Sequence, residues 1–198
     1  MMNALKTLLA GAALAVTASA GNAAVFYADE VIVEDAGNCT GSVAACTADD
    51  RKNPDNAKGA TDGLFYSLGL GGAAVFGFAK DMFPGGTVST FEITFNRNSD
   101  HKEAAQVYTL DSAFNVVQSL GTVVNSPDGS GSVFASMGFS YIRLVDVTET
   151  FFGGLSSSFD GYDVDSVGVA PIPLPAAGVL LLAGLGGLAA VRRRKNAA

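Results

Sequence analysis

Thr90-Phe91-Glu92-Ile93-Thr94-Phe95 alternates polar and apolar side chains without a break, the period of a strand with one buried and one wet face. The alternation puts Phe91, Ile93 and Phe95 toward a core and Thr90, Glu92 and Thr94 toward solvent. The same period returns at Tyr162-Asp163-Val164-Asp165. Along the chain, strands are expected near 25–33, 64–68, 73–79, 88–97, 104–110, 115–124, 132–136, 140–148 and 162–169. Turn residues separate them: Asp62-Gly63, the glycine-rich 69–72, Pro84-Gly85-Gly86, Asn98-Ser99-Asp100 and Ser126-Pro127-Asp128-Gly129. No segment between residues 25 and 170 sustains a helical period. Short strands at this density predict an all-β chain, an antiparallel β-sandwich of the jelly-roll kind.

The 198 residues suffice for one ordinary domain with attached ends. Mean hydropathy is +0.32 with 16% charged residues, and the apolarity lies mostly at the termini. All 19 acids fall between Asp29 and Asp165, where they meet seven basic residues, a net charge of −12. Nucleic acid and anionic lipid are excluded as partners of that region, because binding phosphates requires Lys and Arg to displace counterions.

Residues 1–24 read as a signal peptide. Lys6 precedes an apolar run over 7–16 and a small-residue stretch that includes Ala18-Ser19-Ala20. Cleavage after Ala20, Ala23 or Ala24 satisfies the pattern. The alternative, a membrane anchor, requires about 20 apolar residues. Export into an oxidising compartment then predicts that Cys39 and Cys46, in the polar stretch 38–50, form a disulfide rather than remain free thiols. Their spacing fits neither a zinc site nor a redox pair.

At the other end, Pro171-Ile172-Pro173-Leu174-Pro175-Ala176 runs into the apolar stretch 176–191 and then Arg192-Arg193-Arg194-Lys195. The apolar stretch, extended by Leu174 and the snorkelling stems of Arg192 and Arg193, reaches about the length of a membrane span. The basic cluster orients its end toward the cytoplasm, with the acidic region outside. The prolines keep the approach to the span extended. This three-part order resembles a PEP-CTERM sorting signal, and Ile172, Pro173, Leu174, Pro175 and Ala176 resemble its VPLPA-CTERM variant with isoleucine in place of valine. The resemblance covers about 28 residues, 171–198. It implies recognition by an exosortase, a multi-spanning membrane transpeptidase, with cleavage near the motif and transfer to the cell surface or an extracellular polysaccharide matrix. A plain single-span anchor that is never cut is the alternative.

The region 25–170 carries a second resemblance. The run from Asn53 to Gly63, the segment from Ser67 to Gly72, Phe91-Glu92, the segment from Glu103 to Tyr108, the segment from Tyr141 to Asp146 and the segment from Tyr162 to Asp165 together resemble exported jelly-roll domains of the discoidin or galactose-binding-like type. Many such domains bind glycans or other surface ligands, so the resemblance implies a binding or structural module at the cell surface or in its matrix.

Catalysis has little to stand on in the sequence. His101 is the single histidine and sits in the charged turn 98–102, which reads as solvated surface. No G-x-S-x-G elbow occurs, and the glycines at 69–72 lead into a strand with no βαβ unit around them. The rival reading is a secreted, carboxylate-dependent glycan hydrolase, which requires a pocket with converging acids; a binding module requires a shallow, loop-rimmed face with exposed aromatics. No cofactor is expected, with one exception. If first and last strands are neighbours, Asp29 or Glu30 approaches Asp163 and Asp165, an oxygen-rich set suited to a structural calcium ion.

Overall fold

A computed structural model describes residues 24–93, 101–126 and 129–172. Residues 1–23 of the expected signal peptide, the end of the expected strand 88–97 and the turn after it, Pro173 to Ala176 of the sorting motif, the apolar stretch and the cluster Arg192, Arg193, Arg194 and Lys195 lie outside the described residues. Among the described residues no helix is long and apolar enough to cross a membrane.

In chain order the elements are β1 (Phe26–Tyr27), β2 (Glu30–Asp35), α1 (Val43–Thr47), α2 (Asp49–Lys52), β3 (Tyr66–Ser67), β4 (Ala73–Gly77), β5 (Gly86–Glu92), β6 (Ala104–Leu110), β7 (Val116–Val124), β8 (Ser130–Ala135), β9 (Tyr141–Asp146), α3 (Thr148–Phe152) and β10 (Asp163–Pro171). They build two antiparallel sheets. One runs β1-β10-β5-β8 with β3 also on β10; the other runs β2-β4-β9-β6-β7. The mostly antiparallel sandwich expected from the alternation is therefore what the chain forms.

The core lies between the sheets. Ala74, Phe76, Ile142, Leu144, Ala105 and Val107 from the second sheet meet Val88, Val164, Val167 and Val169 from the first, all of them buried. Phe83 caps one part of this core against Phe26, Phe78 and Phe139, with ring centroids 5.2–5.6 Å apart. Its backbone also bridges to Phe139 through two reciprocal hydrogen bonds of 2.8 and 3.0 Å.

The chain departs from simple alternation in three places. The expected strand 25–33 is two strands, because the chain changes sheets at Ala28 and Asp29: the Ala28 N–H donates to Val167 in the first sheet and the Asp29 N–H to Gly77 in the second. In β5 the faces are the reverse of those expected. Val88, Thr90 and Glu92 are buried while Phe91 and Ile93 are half-buried, and Thr90 is accommodated inside by a 3.0 Å hydrogen bond between its hydroxyl and that of Tyr162. In β10 a bulge falls between Val164 and Ser166. One extra residue there switches the inward set from Tyr162 and Val164 to Val167 and Val169.

The other face of β10 is not wet either. Asp163, Asp165 and Ser166 are buried because the excursion between β2 and β4 folds over them. Cys39 and Cys46 are joined in that excursion, Cα to Cα 5.8 Å, across a loop containing α1, whose Ser42 hydroxyl caps the Ala45 amide. The glycines at 69–72 make the tight turn into β4, with Gly69 and Gly71 at φ of +78° and +75° and the Gly72 N–H donating to the Gly69 carbonyl.

Candidate functional site

Acids collect at one end of the sandwich, where β9 ends and β6 and β10 begin. Asp146, the last residue of β9, is buried and accepts four hydrogen bonds: from the amides of Gly71, Thr148 and Tyr162, and from the Thr148 hydroxyl at 2.7 Å. Burial nevertheless raises its carboxyl above the ordinary value, with those donors pulling the other way. Asp165 receives the amides of Asp62 and Gly63 at 3.1 and 3.2 Å, so it pins the covering loop; burial outweighs these bonds and raises its carboxyl too.

Asp160 and Asp163 share Arg51. The guanidinium from α2 touches Asp160 directly and stands 3.7 Å from Asp163. It is held between two aromatic rings, 5.3 Å from the Phe65 centroid and 5.2 Å from that of Phe159. The Ser67 hydroxyl donates to both Asp160 and Asp163. Among the described residues, one arginine stands against both of these acids. Asp163 is pushed well above the usual carboxylate range, first by burial and then by the nearby charge of Glu103, against the lowering influence of Ser67 and Arg51.

Beside this pair, His101 Nε2 lies 2.9 Å from Glu103 Oε1, and the imidazole packs edge-on to Phe159 at 6.2 Å. The histidine expected at the solvated surface is thus mostly enclosed, its side chain 16% exposed. The Asn125 side chain fixes the pair, accepting from the Glu103 amide at 3.0 Å and donating to the His101 carbonyl at 2.9 Å.

The calcium ligands expected from sequence do not converge. β1 does neighbour β10, yet Asp29 is exposed and its backbone has already crossed to the second sheet, while Asp163 and Asp165 spend their oxygens on Ser67, Arg51 and the 62–63 amides. Among the described residues, the ligand atoms lying within 4.8 Å of one another belong to His101, Glu103 and Asp160. Spacing along the chain gave no sign of Asp160, which arrives from the loop before β10; His101-x-Glu103, with two side chains on one face of an extended segment, is the signal that was available.

Arg51, Ser67 and Asp160 also open onto a cleft of about 440 Å³. Tyr66 and Lys52 line it further, and the Cys39–Cys46 disulfide stands at its rim. Among its lining residues Asp160 is the one acid. Away from the cleft, several aromatics are exposed. Phe114 stacks on Tyr141 with centroids 4.6 Å apart and is the one described non-glycine residue at positive φ, +64°. The Asp111 carboxylate holds that turn by accepting the amides of Ala113 and Asn115 at 2.8 and 2.9 Å.

No protein-family model matches the chain, and no curated protein sequence matches it. Among solved structures it is similar to a fucose-binding module of Streptococcus pneumoniae, at 18% identity over 55% of this chain and 70% of that one, TM-score 0.41. It is also similar to the lectin domain of lectinolysin complexed with Lewis B antigen, at 11% identity over 72% and 92%, TM-score 0.43. A third similarity is to GH31 CBM32-2 bound to GalNAc, at 9% identity over 74% and 97%, TM-score 0.40.

Proposed function

We propose that the protein is an exported glycan-binding module, carried to the cell surface or its polysaccharide matrix by the sorting tail. The cleft above α2 carries this reading. Its volume falls in the range of small-ligand pockets, and it offers a mixed wall of Tyr66, Lys52, Ser67 and the Arg51–Asp160 pair, the few fixed polar groups on a partly apolar surface that a neutral ligand rich in hydroxyls requires. Arg51 is preorganised by Phe65, Phe159 and two carboxylates, so little side-chain freedom is lost when a ligand arrives.

Hydrolysis is the weaker reading. A glycosidase sets two carboxyls across the scissile bond, whereas the one acid lining this cleft has its charge engaged by Arg51. The disulfide at the rim agrees with export, since such bonds persist in oxidising compartments. In this scheme residues 1–24 direct export, 25–170 bind, and the motif from Ile172 to Ala176 hands the chain to an exosortase while the 176–191 span and the cluster Arg192 to Lys195 hold it in the membrane.

The test is retention on a panel of immobilised polysaccharides. Ala36→Trp, at an exposed position on the cleft wall, fills the cleft without touching the core and is expected to abolish retention while leaving the unfolding midpoint unchanged. Equal retention of both proteins refutes the assignment of the cleft.

A further inference from the structure

Two carboxylates at this end of the sandwich each keep one oxygen in reserve. Glu103, fully buried, spends Oε1 on His101 and on the Ser158 hydroxyl at 2.9 Å, and its Oε2 has no hydrogen-bond partner. Asp160, 3% exposed, spends Oδ2 on Ser67 and Arg51, and its Oδ1 has none. A buried carboxylate oxygen with no donor forfeits a solvation that nothing in the protein replaces. Both belong to the cluster whose ligand atoms, with those of His101, lie within 4.8 Å of one another.

The charge count points the same way. Among the described residues, Glu103, Asp160 and Asp163 are buried acids near one another, and Arg51 stands against Asp160 and Asp163. A divalent ion between Glu103 and Asp160 supplies a partner to both unpartnered oxygens and positive charge beside these acids.

We propose that His101, Glu103 and Asp160 form a binding site for one divalent transition-metal ion of the zinc type. One imidazole nitrogen with two carboxylate oxygens is the donor set such ions prefer, whereas calcium takes six or more oxygens. Tetrahedral coordination at zinc distances sets ligand atoms about 3.4 Å apart, so the donors draw inward by about 1 Å, a shift that side-chain rotation provides. The outer shell is already in place. Ser158 and Asn125 orient Glu103, Asn125 also holds the His101 backbone, and Ser67 and Arg51 turn Asp160. With three protein ligands the fourth position is left to water. Because Asp160 also lines the cleft, the ion sits behind the cleft wall; the assignment holds whatever ligand fills the cleft.

The chain simplifies the test. His101 is its single histidine, and both cysteines are in the disulfide, so nitrogen ligation of zinc by a side chain can come from one imidazole. The full-length chain, purified in mild detergent without a histidine tag and stripped with chelator, is titrated with zinc while the ring nitrogens of the histidine are followed by NMR. The expected result is one zinc per chain, a shift of the ligating ring nitrogen saturating at that stoichiometry, and a folded-to-unfolded ratio raised about 100-fold at a hundredfold excess over Kd. His101→Gln and Glu103→Gln are each expected to weaken binding at least tenfold, and Glu34→Gln, at an exposed position paired with Arg143, to leave it within about twofold. An imidazole unmoved by zinc overturns the proposal without reference to any variant. Equal zinc affinity in wild type and His101→Gln, or calcium displacing zinc at equal concentration, overturns it as well.

Discussion

Replacing Asp146 tests whether a buried carboxylate, rather than apolar contact alone, ties the end of the sandwich together. Its two oxygens collect donors from three separate places: Gly71 in the turn before β4, Thr148 at the start of α3, and Tyr162 just before β10 in the other sheet. In Asp146→Ala three backbone amides lose their acceptor in a site where Asp146 itself is 3% exposed. Each orphaned amide costs about 1–3 kcal/mol. The full sum is not realised, because burial of the charge, visible in its raised pKa, already offsets part of what the bonds contribute, and water can enter the space left by the carboxylate. A net loss of about 4 kcal/mol is therefore expected, equivalent to a fall of about 8–16 °C in the unfolding midpoint for a domain of this size. Asp146→Asn keeps one acceptor and turns an amide toward the other donors, so about half that loss is expected. Thermal unfolding followed by circular dichroism, with denaturant melts at 25 °C, measures both. An alanine variant within about 2 °C of wild type refutes the reasoning, since it shows the three amides find other partners at no cost.

Serine at both Cys39 and Cys46 releases a short loop, and chain entropy predicts a loss of about 2.5 kcal/mol; quantitative alkylation of both thiols in the unreduced protein refutes the bond. Asp146, Asp163 and Asp165 all hold their protons more tightly folded than unfolded, so their contribution to stability is complete below about pH 4 and is lost as pH rises through the higher folded values. With chelator present, raising the pH from about 5 to about 7.5 is expected to cost wild type more stability than Asp163→Asn, and equal losses in denaturant melts at the two pH values exclude Asp163 as the source. Intact mass measurement of the protein from its native host is expected to give a chain starting between Gly21 and Val25 and ending near Pro175 or Ala176; recovery of peptides containing Arg194 at full abundance favours an uncut anchor.

The strands were readable because their period is local, but the phase of β5 was not. Alternation located β5 and β10, yet it assigned Phe91 and Ile93 to the interior where the protein puts Thr90 and Glu92. Polarity predicts orientation only while polar groups have no buried partner, and Thr90 has the Tyr162 hydroxyl. The bulge in β10 does leave a trace: the apolar positions run 162, 164, then 167, 169, a change of parity that a strict alternation cannot produce. The sheet change at Ala28 and Asp29 leaves none, since two residues are too few to show a period. The disulfide followed from the expected compartment and the count of cysteines. His101 and Glu103 were visible as neighbours, while Asp160 joins them from the loop before β10, which no spacing rule encodes.

β10 is flanked on both sides, and the last of its backbone contacts, from the Ile172 N–H to the Gly85 carbonyl, falls on the first residue of the motif that leads into the tail. Its opposite end adjoins Asp160 and the cleft. If the module works as proposed, bound in the cleft and attached through its tail, a pull between the two runs lengthwise along this one strand. Such a force shears its bonds to β5, β1 and β3 together instead of peeling them in turn. Under the proposed function, rupture at the ligand is expected before rupture of the fold.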